Sequence, residues 1–328
     1  MVDKKNYQYS FNDYIAGEND INEIDSPIET KEITNEYAFE KLFDQDNSLE
    51  RMSNHNSLAI LGNCLDVLGG MKSGSVKLIF ADAPYNIGKN FGNNVDKWDS
   101  VNAYIDWCKV WIDECMRVLS DDGTMYFMTA TQHMPYLDVY VSEKYNVLCR
   151  IVWTYDSSGV QSKKMFGSLY EPILMINKSS KSKYTFNHND ILVEAKTGAK
   201  RKLIDYRKNP PQPYNTEKVP GNVWEFSRVR FKMDEYENHP TQKPEALLER
   251  IIKASSNKGD VVLDPFAGSF TTSAVSVRLG RIGVGIELNE EYYEMGLRRT
   301  GITNERNGKS LVKEKVRRTS AKSKYVRE

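Results

Sequence analysis

The chain has 328 residues, 40% apolar and 27% charged, enough to bury a large core as one sizeable domain or two modest ones. Net charge is zero but uneven: residues 1–50 hold thirteen acids against four bases, and residues 305–328 hold nine bases against three acids. No apolar run approaches the roughly 18 residues needed to cross a bilayer, and Met1 onward lacks a basic-then-apolar pattern, so a cytoplasmic protein without a membrane partner is expected.

Residues 1–54 read as an acidic N-terminal extension with scattered apolar positions such as Ile21, Ile24, Tyr37, Phe39 and Leu42. The texture changes at Ser57, where Leu58 to Leu61 form a short buried-strand run, Cys64 to Leu68 a turn of helix, and Val76 to Ala81 a second strand. Between Val101 and Leu119, apolar residues recur at three- and four-residue steps and predict a helix with one apolar face. Gly123 stops that helix and opens a strand from Thr124 to Met128. Val147 to Trp153 and Pro172 to Ile176 are further strands. Residues 177–238 are polar and proline-bearing and interleave Arg and Lys with Tyr, Phe and Trp, which marks an inserted module. A helix through Ala254 follows Pro244, then the strand Val261 to Leu263, a glycine turn, the helix Thr271 to Leu279, the strand Ile282 to Ile286 and the helix Asn289 to Arg299. Alternating strands and helices predict an α/β fold with a mostly parallel sheet. The basic tail, 301–328, reads either as a solvated end or as a segment that touches phosphates.

Cys64, Cys108, Cys115 and Cys149 show no CxxC spacing, and Cys108 and Cys115 stand seven apart like two core residues of one helix, so reduced thiols are expected. His55, His133, His188 and His239 have no paired spacing, and no metal is expected.

Two strand ends carry the chemistry. Leu263-Asp264-Pro265-Phe266-Ala267-Gly268-Ser269-Phe270-Thr271 takes a buried strand through a glycine turn into a helix, and Gly283-Val284-Gly285-Ile286-Glu287 ends the next strand on an acid. Ligands of open α/β sheets bind at such carboxyl ends, and a carboxylate there suits the two hydroxyls of a ribose. The turn lacks GxGxxG, and Phe266 and Phe270 would crowd a pyrophosphate, which argues against a dinucleotide. The second end is Asp82-Ala83-Pro84-Tyr85. Pro84 fixes its own φ and biases Ala83 toward an extended conformation, so a carboxylate and a fixed carbonyl can accept both hydrogens of an amino group beside the ring of Tyr85.

These motifs, with Asn238-His239-Pro240-Thr241-Gln242-Lys243-Pro244 just before the second, resemble the amino-group DNA methyltransferases of prokaryotes and phages. The order, catalytic tetrapeptide, variable module, then cofactor turn, is similar to the β class of that family. The resemblance covers roughly residues 55–300 and implies a Rossmann-like S-adenosylmethionine-dependent fold with a target-recognition region at 177–238. It implies that Asp82, Ala83, Pro84 and Tyr85 are catalytic. Asp264, Phe266, Gly268 and Ser269 would shape the cofactor pocket, with His239 and Thr271 in its lining, and Glu287 would hold the ribose. Thr241 and Lys243 would face the methionine end. Gly62-Asn63-Cys64-Leu65 resembles the adenine-contacting segment, with Asn63 in place of its usual acid. Ala83 stands where the family usually has proline. It keeps the carbonyl and gives up about 0.4 to 1 kcal/mol of unfolded-state entropy.

The implied reaction is methylation of N6 of an adenine flipped from double-stranded DNA. N4 of cytosine, or a DNA-binding regulator that has lost turnover, are the alternatives. The basic residues Lys163, Lys164, Arg201, Arg207, Arg228 and Arg230, interleaved with Tyr206, Tyr214, Trp224 and Phe231, are the candidate DNA contacts, though the 155–164 loop reads equally as plain surface. A homodimer and a cognate restriction endonuclease are candidate partners, and the setting is a prokaryotic nucleoid or a phage genome.

Overall fold

The computed structural model describes residues 37–44, 49–91, 96–157, 163–196 and 202–313. Its main sheet has nine strands: β1 (Glu50–Ser53), β2 (Ser57–Leu61), β3 (Val76–Asp82), β4 (Leu119–Met128), β5 (Asn146–Thr154), β6 (Tyr170–Asn177), β7 (Val223–Glu225), β8 (Val261–Asp264) and β9 (Ile282–Glu287). Their order is β1-β2-β9-β8-β3-β4-β6-β5-β7. The run from β2 to β4 is parallel, β6 reverses, β5 and β7 run parallel to each other, and β1 pairs antiparallel at the far edge.

The central strands are continuous apolar runs because both faces are covered. Ile79 and Ala81 of β3, Met125 and Phe127 of β4, and Leu174 and Ile176 of β6 enter the layer under helices α1 (Cys64–Gly70), α2 (Val101–Val118) and α3 (Met134–Lys144). Their alternates Leu78, Phe80, Tyr126, Met128, Ile173 and Met175 pack with α4 (Glu245–Ser255) and with Val275 of α5 (Thr271–Arg278). Helix α6 (Glu290–Arg299) brings Tyr293 and Leu297 onto Phe270 and Ala59.

On α2, Tyr104, Cys108, Trp111 and Cys115 share the buried face, and the Ser100 side chain caps its start by accepting the Ala103 N–H at 3.1 Å. All four cysteines are free, and Cys108 and Cys115 are core residues. Gly123 does not end α2. The helix stops at Val118, and a Cβ at Gly123 would stand 2.8 Å from the Lys77 carbonyl, so glycine there permits close approach of β4 to β3.

Two expectations are corrected. The N-terminal extension does not run to 54: Phe39 and Leu42, on a short 3-10 helix, are buried in the core, and β1 pairs with β2. Residues 1–36 lie outside the described residues. The basic tail does not begin at 301. Residues 305–310 form a small hairpin in which Arg306 meets Glu50, Glu290 and Glu294, and Lys309 meets Glu294. A charge count along the chain cannot reveal such pairing, and 314–328 are outside the described residues. The sequence pattern also gave no sign of α3, where Tyr136 and Val139 are exposed and the inward face is only Met134, Leu137 and Val141.

Candidate active site

Strands β3 and β8 are parallel neighbours, so Asp82 and Asp264 emerge at the same edge of the sheet although 182 positions separate them in the chain. Between these ends and that of β9 lies a cavity of about 560 Å³. The structure brings to it Asn63, Cys64, Asp82, Ala83, Pro84, Tyr85, His239, Thr241, Lys243, Asp264, Phe266, Gly268, Ser269, Thr271 and Glu287. A second chamber of about 310 Å³, lined by Trp153, Tyr155, Glu171 and Arg228, shares Tyr85, Ile87, Lys89, His239, Thr241, Gln242 and Lys243 with the first. Those seven residues belong to the wall between the two spaces.

The cofactor turn is held from several sides. Asp264 accepts the Phe266 N–H at 3.0 Å and the Thr272 hydroxyl at 2.6 Å, and burial pushes its carboxyl up to about 7. Glu287 accepts the Gly268 N–H on one oxygen and the Asn289 N–H on the other, each at 2.7 Å, and burial raises it as well. Phe266 presents its ring edge-on to Trp107 and Trp111. Phe270 adopts φ 57° with its ring buried, and a Cβ at Gly285 would fall 2.5 Å from that ring. Gly285 in the strand before Glu287 is therefore a packing requirement. Gly268, at φ 50°, faces the His239 imidazole, where a Cβ would fall 2.9 Å from Nε2. Burial lowers His239 to about 3, so it is a neutral wall, with Tyr292 edge-on at 4.5 Å. Arg299 of α6 reaches in to the Ser269 carbonyl at 2.7 Å and the Thr271 hydroxyl at 2.9 Å.

Asn63 caps α1, its side-chain oxygen accepting the Leu65 N–H at 2.9 Å, and one lone pair remains beside the cavity. The thiol of Cys64 is raised to about 12 by burial and stays protonated.

At the tetrapeptide, the Tyr104 hydroxyl donates to the Pro84 carbonyl at 2.8 Å, and the Tyr85 N–H donates to Asp96 at 3.1 Å. Asp96 is 4% exposed and also accepts the N–H groups of Ile87 and Lys89, so one buried carboxylate organises the turn after the motif. The Tyr85 hydroxyl donates toward Asp82 at 2.8 Å and Glu171 at 2.9 Å. Lys243, expected to face the methionine end of the cofactor, instead directs its ammonium to Asp82 at 2.5 Å and stands 3.7 Å from Glu171. Burial raises the Asp82 carboxyl, and Glu171 adds to that. Burial opposes the Lys243 charge, but the two acids outweigh it and hold the ammonium above the ordinary lysine range.

Glu171, Asp96, Tyr104 and Arg299 have no sequence signal of their own, because each acts through a partner distant in the chain. Gln242 is similar: its amide accepts the Glu237 N–H and donates to the Glu235 carbonyl, fixing the segment that delivers Lys243.

The basic candidates have different local partners. Arg201 lies outside the described residues. Lys163 and Lys164 are exposed, Arg207 is held bidentately by Asp205, Arg230 donates to the Asp156 carbonyl, and Arg228 lies over the Tyr155 ring at 5.0 Å in the second chamber. Trp224, expected among the exposed aromatics, is a core residue of β7, stacked beneath Arg250 at 5.2 Å. Tyr206 and Phe231 are exposed.

A solved structure named PvuII DNA methyltransferase (cytosine-N4-specific) matches 78% of this chain and 89% of its own at TM-score 0.57 and 17% identity, which shows a shared fold. DNA adenine methyltransferase YhdJ of Escherichia coli K12 is 57% identical over 277 residues, spanning 84% of this chain and 94% of its own length. Type II methyltransferase M.HpaI of Haemophilus parainfluenzae is 37% identical over 79% of this chain and 78% of its own. The pattern of the DNA methylase family (N6_N4_Mtase) matches residues 76–298, from the start of β3 into α6, and on that span the chain belongs to the DNA methylase family.

Proposed function

We infer that this chain transfers a methyl group from S-adenosylmethionine to N6 of an adenine in double-stranded DNA, with the adenine turned out of the helix into the smaller chamber. The observation that carries this reading is the hydrogen bond that joins Asp82, at the larger cavity, to Tyr85, which lines both cavities. The identity to a protein named a DNA adenine methyltransferase supports adenine as the base.

The larger cavity fits the cofactor by its donors and acceptors. Glu287 keeps lone pairs beyond its two backbone contacts for the ribose hydroxyls, Asn63 keeps one for an adenine amino group, and Phe266 supplies an apolar face. When bound there, S-adenosylmethionine supplies an electrophilic methyl group on a sulfonium.

The chain's own residues do the rest. The Asp82 carboxylate and the Ala83 carbonyl accept the two amino hydrogens of the base, which turns the nitrogen lone pair out of the ring system. Tyr104 already holds the Pro84 carbonyl, so the Pro84–Tyr85 peptide is fixed without a second proline. Tyr85 offers its ring to the base, and the chamber excludes water around it, at an unstacking cost of a few kcal/mol.

The exposed residues of 177–238, with Lys163 and Lys164, read the surrounding DNA in this proposal. A second copy of the chain and a cognate endonuclease belong to the same reading, tested by sedimentation and by restriction of unmodified DNA. Nucleoside analysis of duplex DNA after reaction with labelled cofactor tests the main claim. N6-methyladenine is expected, and its loss is expected in Asp82→Asn. N4-methylcytosine, or no methylation, overturns it.

A further inference from the structure

Both oxygens of Asp82 are in use. Oδ1 accepts from the Tyr85 hydroxyl at 2.8 Å and Oδ2 from the Lys243 ammonium at 2.5 Å. Each oxygen keeps a second lone pair, but an ammonium held on Oδ2 neutralises the charge that an incoming amino group would meet, so Asp82 is a stronger acceptor once that contact is loosened.

Glu171 meets the same two donors. It is the second residue of β6 and is held opposite Trp153 in the β5–β6 register. Its Oε2 is 2.9 Å from the Tyr85 hydroxyl and 3.7 Å from the Lys243 ammonium. A hydroxyl carries one hydrogen, so Tyr85 can satisfy only one of the two acids at a time. The ammonium needs to move about 1 Å to bring Glu171 into hydrogen-bond range. Side-chain exposure is 8% for Lys243, 15% for Asp82 and 16% for Glu171, so an ammonium released from Asp82 with no second acceptor would be stranded in a poorly solvated space. The other groups facing this cluster are Tyr155, whose hydroxyl is raised by burial and then by Glu171, with Arg228 over its ring, and Lys89 on the chamber wall.

We propose that Glu171 is an exchange acceptor: as the amino group of the target base reaches Asp82, Tyr85 and Lys243 pass their hydrogen bonds to Glu171, and the catalytic carboxylate is freed while the buried cation stays paired. The proposal rests on the reading of Asp82 as the amino-group acceptor. It makes Glu171 a positioning residue that acts through Lys243 and Tyr85.

Single-turnover methyl transfer by the full chain, on duplex DNA with S-adenosylmethionine, tests it in four variants: Glu171→Gln, Lys243→Met, the two combined, and Asp82→Asn. Glutamine keeps an oxygen for the Tyr85 hydroxyl and removes the charge that attracts Lys243. Glu171→Gln should slow the step at least about tenfold, with cofactor affinity and melting temperature near wild type. The same change in the Lys243→Met background should alter the rate less than about threefold, since no cation remains to be moved. The acid limb of the rate–pH profile should move to lower pH in Glu171→Gln, because Glu171 is one of the groups that raise Asp82. Glu171→Asp, which keeps the charge, should recover most of the rate, and Glu171→Met replaces the glutamine variant if that one melts early. A wild-type rate in Glu171→Gln, or an equal cost with and without Lys243, overturns the exchange. An active Asp82→Asn overturns the underlying reading instead, so the two failures are distinguishable.

Discussion

Glu287→Gln is the most direct test of the cofactor cavity, because one substitution separates two contributions that two assays read independently. The carboxylate accepts the N–H of Gly268 on one oxygen and that of Asn289 on the other, each at 2.7 Å. An amide offers one oxygen, so one of these backbone donors must face an NH₂ group and go unsatisfied, at about 1–3 kcal/mol. In the absence of cofactor this should lower the melting temperature by about 2–4 °C per kcal/mol for a domain of this size. The ribose hydroxyls lose a charged acceptor as well, a loss of about 1.5–3 kcal/mol, or roughly ten- to 150-fold in Kd. Burial already raises the Glu287 carboxyl, so removing its charge recovers part of the desolvation cost and the lower half of both ranges is expected. Calorimetric titration with S-adenosylmethionine and thermal melting of the free protein measure the two effects. A lowered melting temperature with a Kd within twofold of wild type would refute the ribose assignment, and no change in either would refute the geometry.

Gly268→Ala should weaken the cofactor at least about tenfold, since it forces an L residue to φ 50° and pushes a methyl group against His239. Adding His239→Ala should recover part of that loss in the same titration, and no recovery would mean that the contact is not what matters. Asp264 should make stability fall with rising pH. Its folded value near 7, against the ordinary 3.8, means that the folded protein holds a proton the unfolded chain releases, so stability declines between about pH 4 and 7 and levels off above. The full effect is at most about 4 kcal/mol, and melting curves across that range should show a shallower slope in Asp264→Asn, with Asp82 and Glu287 supplying what remains; equal slopes would count against it. Ala83→Pro should change kcat by no more than about two- to fivefold, the equivalent of 0.4–1 kcal/mol, because Tyr104 and Asp96 already fix the turn. An inactive wild type rescued by proline would show that rigidity at this position is essential.

The parallel centre of the sheet was legible because strands buried on both faces are unbroken apolar runs, and three of them end on Asp82, Asp264 and Glu287. The edge strands β1 and β7, of four and three residues, carry too little pattern to stand out. The partition residues divide the same way. Lys243 was visible as a motif member, but its direction was not, because Glu171 and Asp82 approach it from 72 and 161 positions away. Trp224 shows the limit of reading aromatic–basic interleaving as a DNA surface, since its indole is buried in β7 beneath Arg250, a residue outside the interleaved stretch.

The strand order has a consequence for how the protein is made. The spatial neighbours of β2 and β3 on their shared side are β9 and β8, so the two earliest central strands do not touch each other and wait for the last two. A ribosome must deliver about 200 further residues after β3 before that gap can close. Until then two central strands expose backbone edges and apolar faces that invite pairing with other chains. Such a nascent chain is expected to depend on chaperone protection, and truncations that end before β9 should aggregate instead of yielding a smaller folded domain.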